Sequence, residues 1–345
     1  MVISLCLKEN LKDYLRRIRA VYMKNISNHT SKMLYVAKAF AILSVITAHM
    51  SFSEAFPVLE IIRTSLGQIG VFTFFFISGY LYSRDTGDTK SYWLKKFKNL
   101  FIPWFVFSIA TFALSKILYG GTKNLTIDYL KHFLGIGTAY WYMSILMIML
   151  FVFKCFYTKK WALYLCIIIS TISIVLSFTK FINYSLCFNQ YLNIFNWVGV
   201  FSLGILFRQY NLLERIIGIR YIVISFVGIM LSVLVAIFRA SQIEAYIDIT
   251  SLFVELFGLI LVLNLSYILT NSKFLCDVGK KSFFIYLMHL QVVGVINTRL
   301  PYNVFFFFLR PFIGLMVCYL ISIIFKKVLD WFQLSKYNYI FGLDK

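Results

Sequence analysis

The sequence predicts an all-α integral membrane protein with about ten transmembrane helices and both termini in the cytoplasm. Of the 345 residues, 60% are hydrophobic and 19% are aromatic, whereas only 14% are charged, and the mean hydropathy is +0.80. Chains of this composition are embedded in lipid. The apolar residues also form runs of spanning length, which short basic segments separate.

A helix needs about 20 residues, at about 1.5 Å rise each, to cross a bilayer, and ten apolar runs are close to this length. In the tenth run Arg310 and Pro311 interrupt the pattern, so the stretch from Leu300 is alternatively placed at the outer interface. The ninth run is short. The predicted spans are Met33–Phe52, Leu66–Tyr82, Leu100–Leu118, Thr138–Tyr157, Trp161–Phe178, Tyr191–Phe207, Tyr221–Phe238, Ile249–Leu269, Phe283–Asn297 and Asn303–Phe325.

The distribution of positive charge sets the predicted orientation. With the N-terminus inside, 25 of the 34 Lys and Arg residues fall on the cytoplasmic side. This is the bias that the positive-inside rule describes. The formal charge of +20 would otherwise suggest nucleic acid binding, but the basic residues occupy every second loop and form no continuous stripe. Nucleic acid is therefore excluded as a partner, and the lipid bilayer is the expected one.

Three regions follow from this pattern. Residues 1–32 form a cationic amphipathic segment on the inner leaflet, with Leu11, Leu15, Ile18 and Tyr22 at helical spacing. Residues 33–325 form the transmembrane bundle, and residues 326–345 form a short cytoplasmic tail. The six cysteines include no C-x-x-C pair, so no metal site is predicted.

Four ionisable side chains within the predicted spans are candidates for function, because such groups are expensive in lipid, by about 2.5 kcal/mol or more. They are Lys38, His49, Glu255 and His289. Lys38 and His49 are eleven residues apart, which is about three helical turns, so both project from one face at a separation of roughly 16 Å. A cation near the inner mouth and a base deeper in the bundle suit a phosphorylated acyl carrier that enters from the cytoplasm.

Each of these residues also has a purely structural interpretation, and the sequence leaves the choice open. Lys38 can extend its ammonium group to the inner headgroups, and His49 can cap or pack the outer end of its helix. For His289 a satisfied structural histidine is slightly favoured. Glu255 either pairs with a buried cation or forms a hydrogen bond between helices.

A lysine cluster precedes the third predicted span. Lys95, Lys96 and Lys98 lie in the loop before this span, and Pro103 follows near its start, where proline is tolerated. Clustered cytoplasmic lysines can bind an anionic nucleotide. On charge alone, however, an ordinary positive-inside loop is the more common explanation.

Several segments resemble the acyltransferase-3 family of bacterial membrane O-acyltransferases, in the expected order. The first helix of that family carries a basic residue, ten further residues and then a histidine, which matches Lys38 and His49. Lys38 stands where Arg is common, and Lys can still bind phosphate, although without the bidentate geometry of Arg. The chain resembles the stand-alone type, without a fused extracellular hydrolase-like domain. The matching segments are YVAKAFAILSVITAH, VFTFFFISGYLYSR, WLKKFKNLFIPW, WYMSILMIML, FSLGILF and SFFIYLMHL.

The resemblance implies transfer of an acyl group, usually acetyl from acetyl-CoA, to a hydroxyl of a cell-envelope carbohydrate, in the inner membrane and beside other envelope-glycan biosynthesis proteins. The lysines, Lys38 included, would hold the CoA phosphates, and His49 would act as general base. Candidates for the donors that would stabilise the developing oxyanion are Ser78, Tyr80, Trp141 and Tyr142. The alternative is a multi-pass transporter or flippase of glycan intermediates, although no matched pair of broken helices supports it.

The orientation can be tested with single-cysteine variants. Because of the charge asymmetry, we expect a cysteine at Asn124 to react with an impermeant thiol reagent added outside the cell. A cysteine at Lys90 should react only after the membrane is permeabilised. Labelling with the two sides exchanged at either position would overturn the predicted topology.

Overall fold

The structure is a computed structural model that describes residues 26–51, 57–82, 89–119, 124–182, 184, 189–239 and 249–343. The predicted amphipathic segment lies almost entirely outside the described residues. All regular secondary structure in these described ranges is helical, in agreement with the predicted class.

The described chain forms twelve α-helices. A π-helical turn at Phe97–Phe101 joins the third helix to the fourth, and short 3-10 helices occupy Leu213–Ile216 and Ser335–Phe341. The α-helices are α1 (Asn28–His49), α2 (Pro57–Tyr82), α3 (Thr89–Lys96), α4 (Ile102–Tyr119), α5 (Leu125–Leu134), α6 (Trp141–Phe153), α7 (Lys160–Phe178), α8 (Phe195–Gln209), α9 (Ile219–Phe238), α10 (Ile249–Ile268), α11 (Lys273–Arg299) and α12 (Val304–Trp331).

Seven helical stretches in the described residues are long and apolar enough to cross a membrane. They are α1, α2, the stretch Lys90–Ile117, α7, α9, α10 and α12, and each overlaps a predicted span. The other three predicted spans also contain helices, but α6 and α8 have only 13 and 15 residues. The third, α11, has 27 residues and carries several charges. The protein is therefore a multi-pass helical membrane protein with at least seven spanning candidates.

Side-chain caps account for where several helices begin. The Ser27 hydroxyl accepts a hydrogen bond from the Thr30 N–H at 3.0 Å at the start of α1. Ser272 does the same for α11, and Asn124 and Asn303 do so for α5 and α12. These are preferred N-cap residues because their oxygens satisfy N–H groups that have no partner within the helix.

The predicted basic loop before the third span is helical, which corrects the sequence interpretation. Lys95 and Lys96 end α3, and Lys98 lies in the π-helical turn. Pro103 follows at the second residue of α4. Proline lacks an N–H group and crowds the preceding turn, and the wider π-helical winding accommodates that crowding.

Arg310 and Pro311 do not interrupt the last span, as the sequence suggested, because α12 continues through both. Arg310 is 1% exposed, and its guanidinium donates to the backbone oxygens of Ser51 at 2.8 Å, Pro301 at 3.0 Å and Leu300. A buried cation is tolerated here because backbone carbonyls surround it. The contact joins α12 to the segments that follow α1 and α11.

Helix α1 lies at the centre of the bundle and packs most extensively against α2 and α11. Helices α1 and α11 are parallel, because Gly279 near the start of α11 contacts Tyr35, and Asn297 near its end contacts His49. We call the end of the bundle where α1 begins the Lys38 end, and the opposite end the His49 end.

Small residues allow helices α2 and α8 to approach closely. A Cβ atom added at Gly79 would lie 2.0 Å from the backbone oxygen of Phe201, and one added at Gly204 would lie 2.1 Å from that of Phe76. Small residues at such crossings are typical of membrane helix packing, since they let backbones meet.

We expect Gly79→Ala to lower the stability of the purified protein by about 1–3 kcal/mol, because overpacking forces the backbones apart. Gly294→Ala is the matched control, since a Cβ at this helical position would meet nothing within 4 Å. Thermal unfolding in detergent measures both. Equal unfolding temperatures for the two variants would contradict the close approach of α2 and α8.

Candidate functional site

A cavity of about 830 Å³ opens at the His49 end of the bundle. Its walls come from the end of α1, the first half of α2, the loop before α6, the start of α6, the loop before α8, the end of α9 and the middle of α11. This volume lies in the range of about 300–1,000 Å³ that is usual for small-molecule sites. Several distant parts of the chain therefore converge on one open cavity.

Aromatic side chains form one wall of the cavity. Trp141 and Tyr142 at the start of α6 line it together with Tyr191 and Tyr286. The Trp141 and Tyr191 rings have centroids 5.2 Å apart, and the Tyr142 and Tyr286 rings 5.4 Å apart. Such tilted and edge contacts fix the orientation of the rings. The Trp141 ring also packs against the Trp197 ring, with centroids 5.1 Å apart, so this wall is held rigidly.

A glycine-containing loop forms the adjacent wall. Gly135 ends α5 with φ 83°, and a Cβ there would lie 1.9 Å from the Trp141 nitrogen, so only glycine fits. Gly137, also with positive φ, lines the cavity with Thr138. The Thr138 hydroxyl donates to the His132 oxygen at 3.1 Å, which holds the loop in place.

An ion pair lies on the α2 side of the cavity. The Arg63 Nε atom donates to Glu60 at 2.8 Å, and a second guanidinium nitrogen donates to the other carboxylate oxygen. Arg63 also donates to the backbone oxygen of Ala48 near the end of α1. The bidentate geometry orients both side chains. They bring opposite charges to the wall of the same space that His49 lines.

His49 lies on the α1 wall of the cavity. Its backbone oxygen accepts a hydrogen bond from the Asn297 amide at 3.1 Å, and the Asn297 oxygen accepts one from the Ser51 N–H at 3.0 Å. The His49 and His289 ring centroids are 5.2 Å apart. His289 is 0% exposed on α11. The structure therefore pairs the two histidines that the sequence singled out separately.

The four predicted oxyanion donors divide into two groups. Trp141 and Tyr142 line the cavity, and the Ser78 hydroxyl lies 3.4 Å from the Tyr142 hydroxyl, directly behind it. Tyr80 is not among the lining residues. Its backbone oxygen accepts a hydrogen bond from Arg208 at 3.3 Å, farther toward the Lys38 end. The structure therefore does not bring Tyr80 to His49.

The predicted cations lie toward the Lys38 end, and three of them, Lys38, Lys96 and Lys98, lie near aromatic rings. The Lys38 ammonium lies 5.6 Å from the centroid of the Tyr35 ring, which Lys280 also approaches, at 5.7 Å. Lys96 lies 5.4 Å from the Tyr92 ring, and Lys98 lies 4.2 Å from the Tyr339 ring. These distances are typical of cation–π contacts.

Lys95 is exposed near Lys96, at the end of α3. Glu255 is fully buried in α10 and is not one of the residues that line the cavity. In the part of the chain that the structure describes, no group of three or more His, Cys, Asp or Glu side chains could hold a metal ion.

Sequence reasoning missed four parts of the cavity wall that the proposal below uses or depends on. These are the glycine loop before α6, the Glu60–Arg63 pair, Tyr286, and the loop before α8 with Asn189 and Tyr191. Some signals were present, because a G-x-G sequence precedes Trp141, and a Glu three residues before an Arg is a helical ion-pair spacing. The position of Tyr286, three residues before His289, also places it one turn away on the same helix.

Comparison with known protein families matches residues 34–327 to an acyltransferase domain, the acyltransferase-3 domain. No curated protein and no solved structure matches the chain significantly. The matched region extends from α1 to α12 and includes every element that lines the cavity. The chain with His49 on the wall of this cavity therefore belongs to the acyltransferase-3 family, and it is a membrane acyltransferase.

Proposed function

We propose that the protein transfers an acyl group, in the simplest case acetyl, from acetyl-CoA to a hydroxyl of a cell-envelope polysaccharide or its lipid-linked precursor, in the bacterial inner membrane. The observation that carries the proposal is the position of His49. It is the one residue that both completes the family spacing with Lys38 and lines the large cavity. A general base must be within reach of the proton that it removes, and His49 meets this requirement for an acceptor bound in the cavity.

The chemistry of the cavity wall supports a carbohydrate acceptor. Trp141 and Tyr191 contribute aromatic side chains, and Glu60, Arg63 and Asn189 contribute polar groups around the same space. A sugar ring has apolar C–H faces and a rim of hydroxyls. A pocket that combines aromatic side chains with a few polar groups suits both.

The proposed reaction is direct acyl transfer. The His49 imidazole removes the proton from the acceptor hydroxyl as the hydroxyl oxygen attacks the thioester carbonyl. The negative charge that develops on the carbonyl oxygen would be stabilised by donors on α6, and Trp141 and Tyr142 are the residues proposed for this role. When the carbon–sulfur bond breaks, the imidazolium returns its proton to the CoA thiolate, which restores His49.

The donor is proposed to enter from the Lys38 end. Lys38, Lys95, Lys96 and Lys98 supply positive charge there, and Lys38 is roughly 16 Å from His49 along α1. CoA carries its phosphates at one end of a long arm and its thioester at the other. Phosphates near Lys38 would let the arm extend along α1 toward His49.

His49→Ala should lower acyl transfer by about 10²–10⁴-fold while the protein still inserts and purifies normally, because it removes the general base. His29→Ala is the matched control, since His29 lies on the same helix at the opposite end and contacts Tyr267 and Thr270. Transfer is measured with purified protein in nanodiscs, radiolabelled acetyl-CoA and envelope glycan.

Near-normal transfer by His49→Ala would remove this residue from the mechanism and leave it a packing role. If wild-type protein neither hydrolyses acetyl-CoA nor acylates any glycan, but moves a labelled glycan across the bilayer, the transporter alternative replaces the proposal.

Lys38→Gln should raise the KM for acetyl-CoA or abolish turnover, whereas Lys38→Arg should keep much of the activity because it keeps the charge. With acetyl-pantetheine, which lacks the nucleotide phosphates, Lys38→Gln and wild type should differ little. Lys131→Gln, the same charge change on exposed α5, is the control. Donor titrations measure all of these values.

An unchanged KM for acetyl-CoA in Lys38→Gln would show that Lys38 only extends toward the headgroups. The donor phosphates would then have to be placed on Lys95, Lys96 and Lys98 alone.

A further inference from the structure

His289 is a fully buried histidine next to the cavity that the reaction as described does not use. Its ring lies in the middle of α11, and it is 0% exposed. It is not one of the residues that line the cavity, so it does not touch a bound acceptor. Its ring neighbours are His49, with centroids 5.2 Å apart, and Tyr286, with centroids 5.6 Å apart.

One hydrogen bond determines which nitrogen of His289 carries a proton. The Nδ1 atom lies 2.5 Å from the backbone oxygen of Tyr286. A carbonyl oxygen only accepts hydrogen bonds, so Nδ1 must be the protonated nitrogen. In the neutral ring Nε2 then carries a lone pair and can only accept. Full burial favours this neutral form, because a charged ring would need a second acceptor.

The accepting nitrogen of His289 lacks a hydrogen-bond donor among the described residues. The Nε2 atom of His289 is buried and has no hydrogen-bond partner among the described residues. A buried acceptor without a donor is unfavourable, because it has lost its hydrogen bond to water. The adjacent ring that can donate an N–H group is that of His49. Catalytic hydrogen bonds are often long in the free enzyme and tighten when substrate binds, directly or through one water.

We propose that His289 is a positioning residue, whose Nε2 atom accepts a hydrogen bond from His49 and so keeps the His49 proton on the nitrogen that faces α11. The other nitrogen of His49 is then the unprotonated base and is directed toward the acceptor hydroxyl. This inference rests on the proposed function of His49. When His49 takes the acceptor proton, the resulting imidazolium N–H finds a neutral acceptor in place, which stabilises the cation.

The backbone contacts of His49 separate this role from ordinary packing. Asn297 binds the His49 oxygen at 3.1 Å and the Ser51 N–H at 3.0 Å, so the end of α1 is held on α11 independently of His289. Loss of the His289 ring therefore leaves the His49 backbone in place. What changes is the tautomer and ring orientation of His49.

Two conservative variants separate the acceptor function of the His289 ring, at Nε2, from its donor function, at Nδ1. The amide of glutamine reaches the Nε2 position, so His289→Gln keeps an acceptor toward His49. The amide of asparagine reaches the Nδ1 position, so His289→Asn keeps the donor to the Tyr286 oxygen and loses the acceptor. We expect His289→Gln to stay within about tenfold of wild-type kcat, and His289→Asn to lose about 10²-fold in kcat with an unchanged KM for acetyl-CoA.

A second readout does not depend on activity. The chain has only four histidines, so ring-labelled protein gives few ¹⁵N signals. We expect a single neutral tautomer for His49 in wild type and in His289→Gln, and a mixture of tautomers in His289→Asn. A wild-type His49 spectrum in His289→Asn, with normal kcat, would overturn the proposal and leave His289 a packing residue.

Equal loss of kcat in His289→Gln and His289→Asn would also overturn it, because His289 would then have to exchange a proton itself. If the tautomers follow the expected pattern but even wild-type protein transfers no acyl group, the contact with His49 stands and the proposed function fails.

Discussion

The contact between α1 and α11 is the constraint on which the candidate site depends. In lipid, helices gain little from burying apolar surface against each other, so close backbone approach and hydrogen bonds set their relative position. At the Lys38 end a Cβ atom on Gly279 would lie 1.8 Å from the Tyr35 oxygen, so the two backbones touch. At the other end Asn297 binds the end of α1. Two fixed points define the register of parallel helices, and His49 and His289 lie within that register.

Much of the fold could be predicted from the sequence, whereas only part of the candidate site could be. The apolar runs predicted all seven spanning helices, because membrane helices must satisfy their own backbone groups and therefore follow hydropathy closely. The pairing of His49 with His289 could not be predicted in this way. A helix that is apolar on all sides has no stripe that identifies its neighbours. The register between α1 and α11 depends instead on Gly279 and Asn297, which periodicity does not distinguish from other small or polar residues.

Tyr80 and Arg310 show the same limit on what the sequence predicts. Tyr80 follows Ser78 by two residues, which places the side chains on different sides of a helix, so only Ser78 lies behind Tyr142. Arg310 carries a charge in an apolar run and therefore resembled an interruption. Its two terminal guanidinium nitrogens donate to three backbone oxygens from two loops, which no local pattern in the sequence reveals. In each case the position of the side chain depends on backbone that is distant in the sequence but close in three dimensions.

The π-helical turn before Pro103 has a consequence for the direction in which the basic segment faces. In this turn the Ile102 N–H bonds to the Phe97 oxygen, five residues back, which adds one residue to the winding. Each residue of an α-helix turns the chain by about 100°. If the turn lost one residue, α3 would rotate about its axis by roughly that angle. Tyr92 would leave the Tyr82 ring, whose centroid is now 6.1 Å away, and the lysines of α3 would turn with it. The extra residue of the π-helical turn thus sets the rotation of α3, and with it the direction in which the lysines of α3 face.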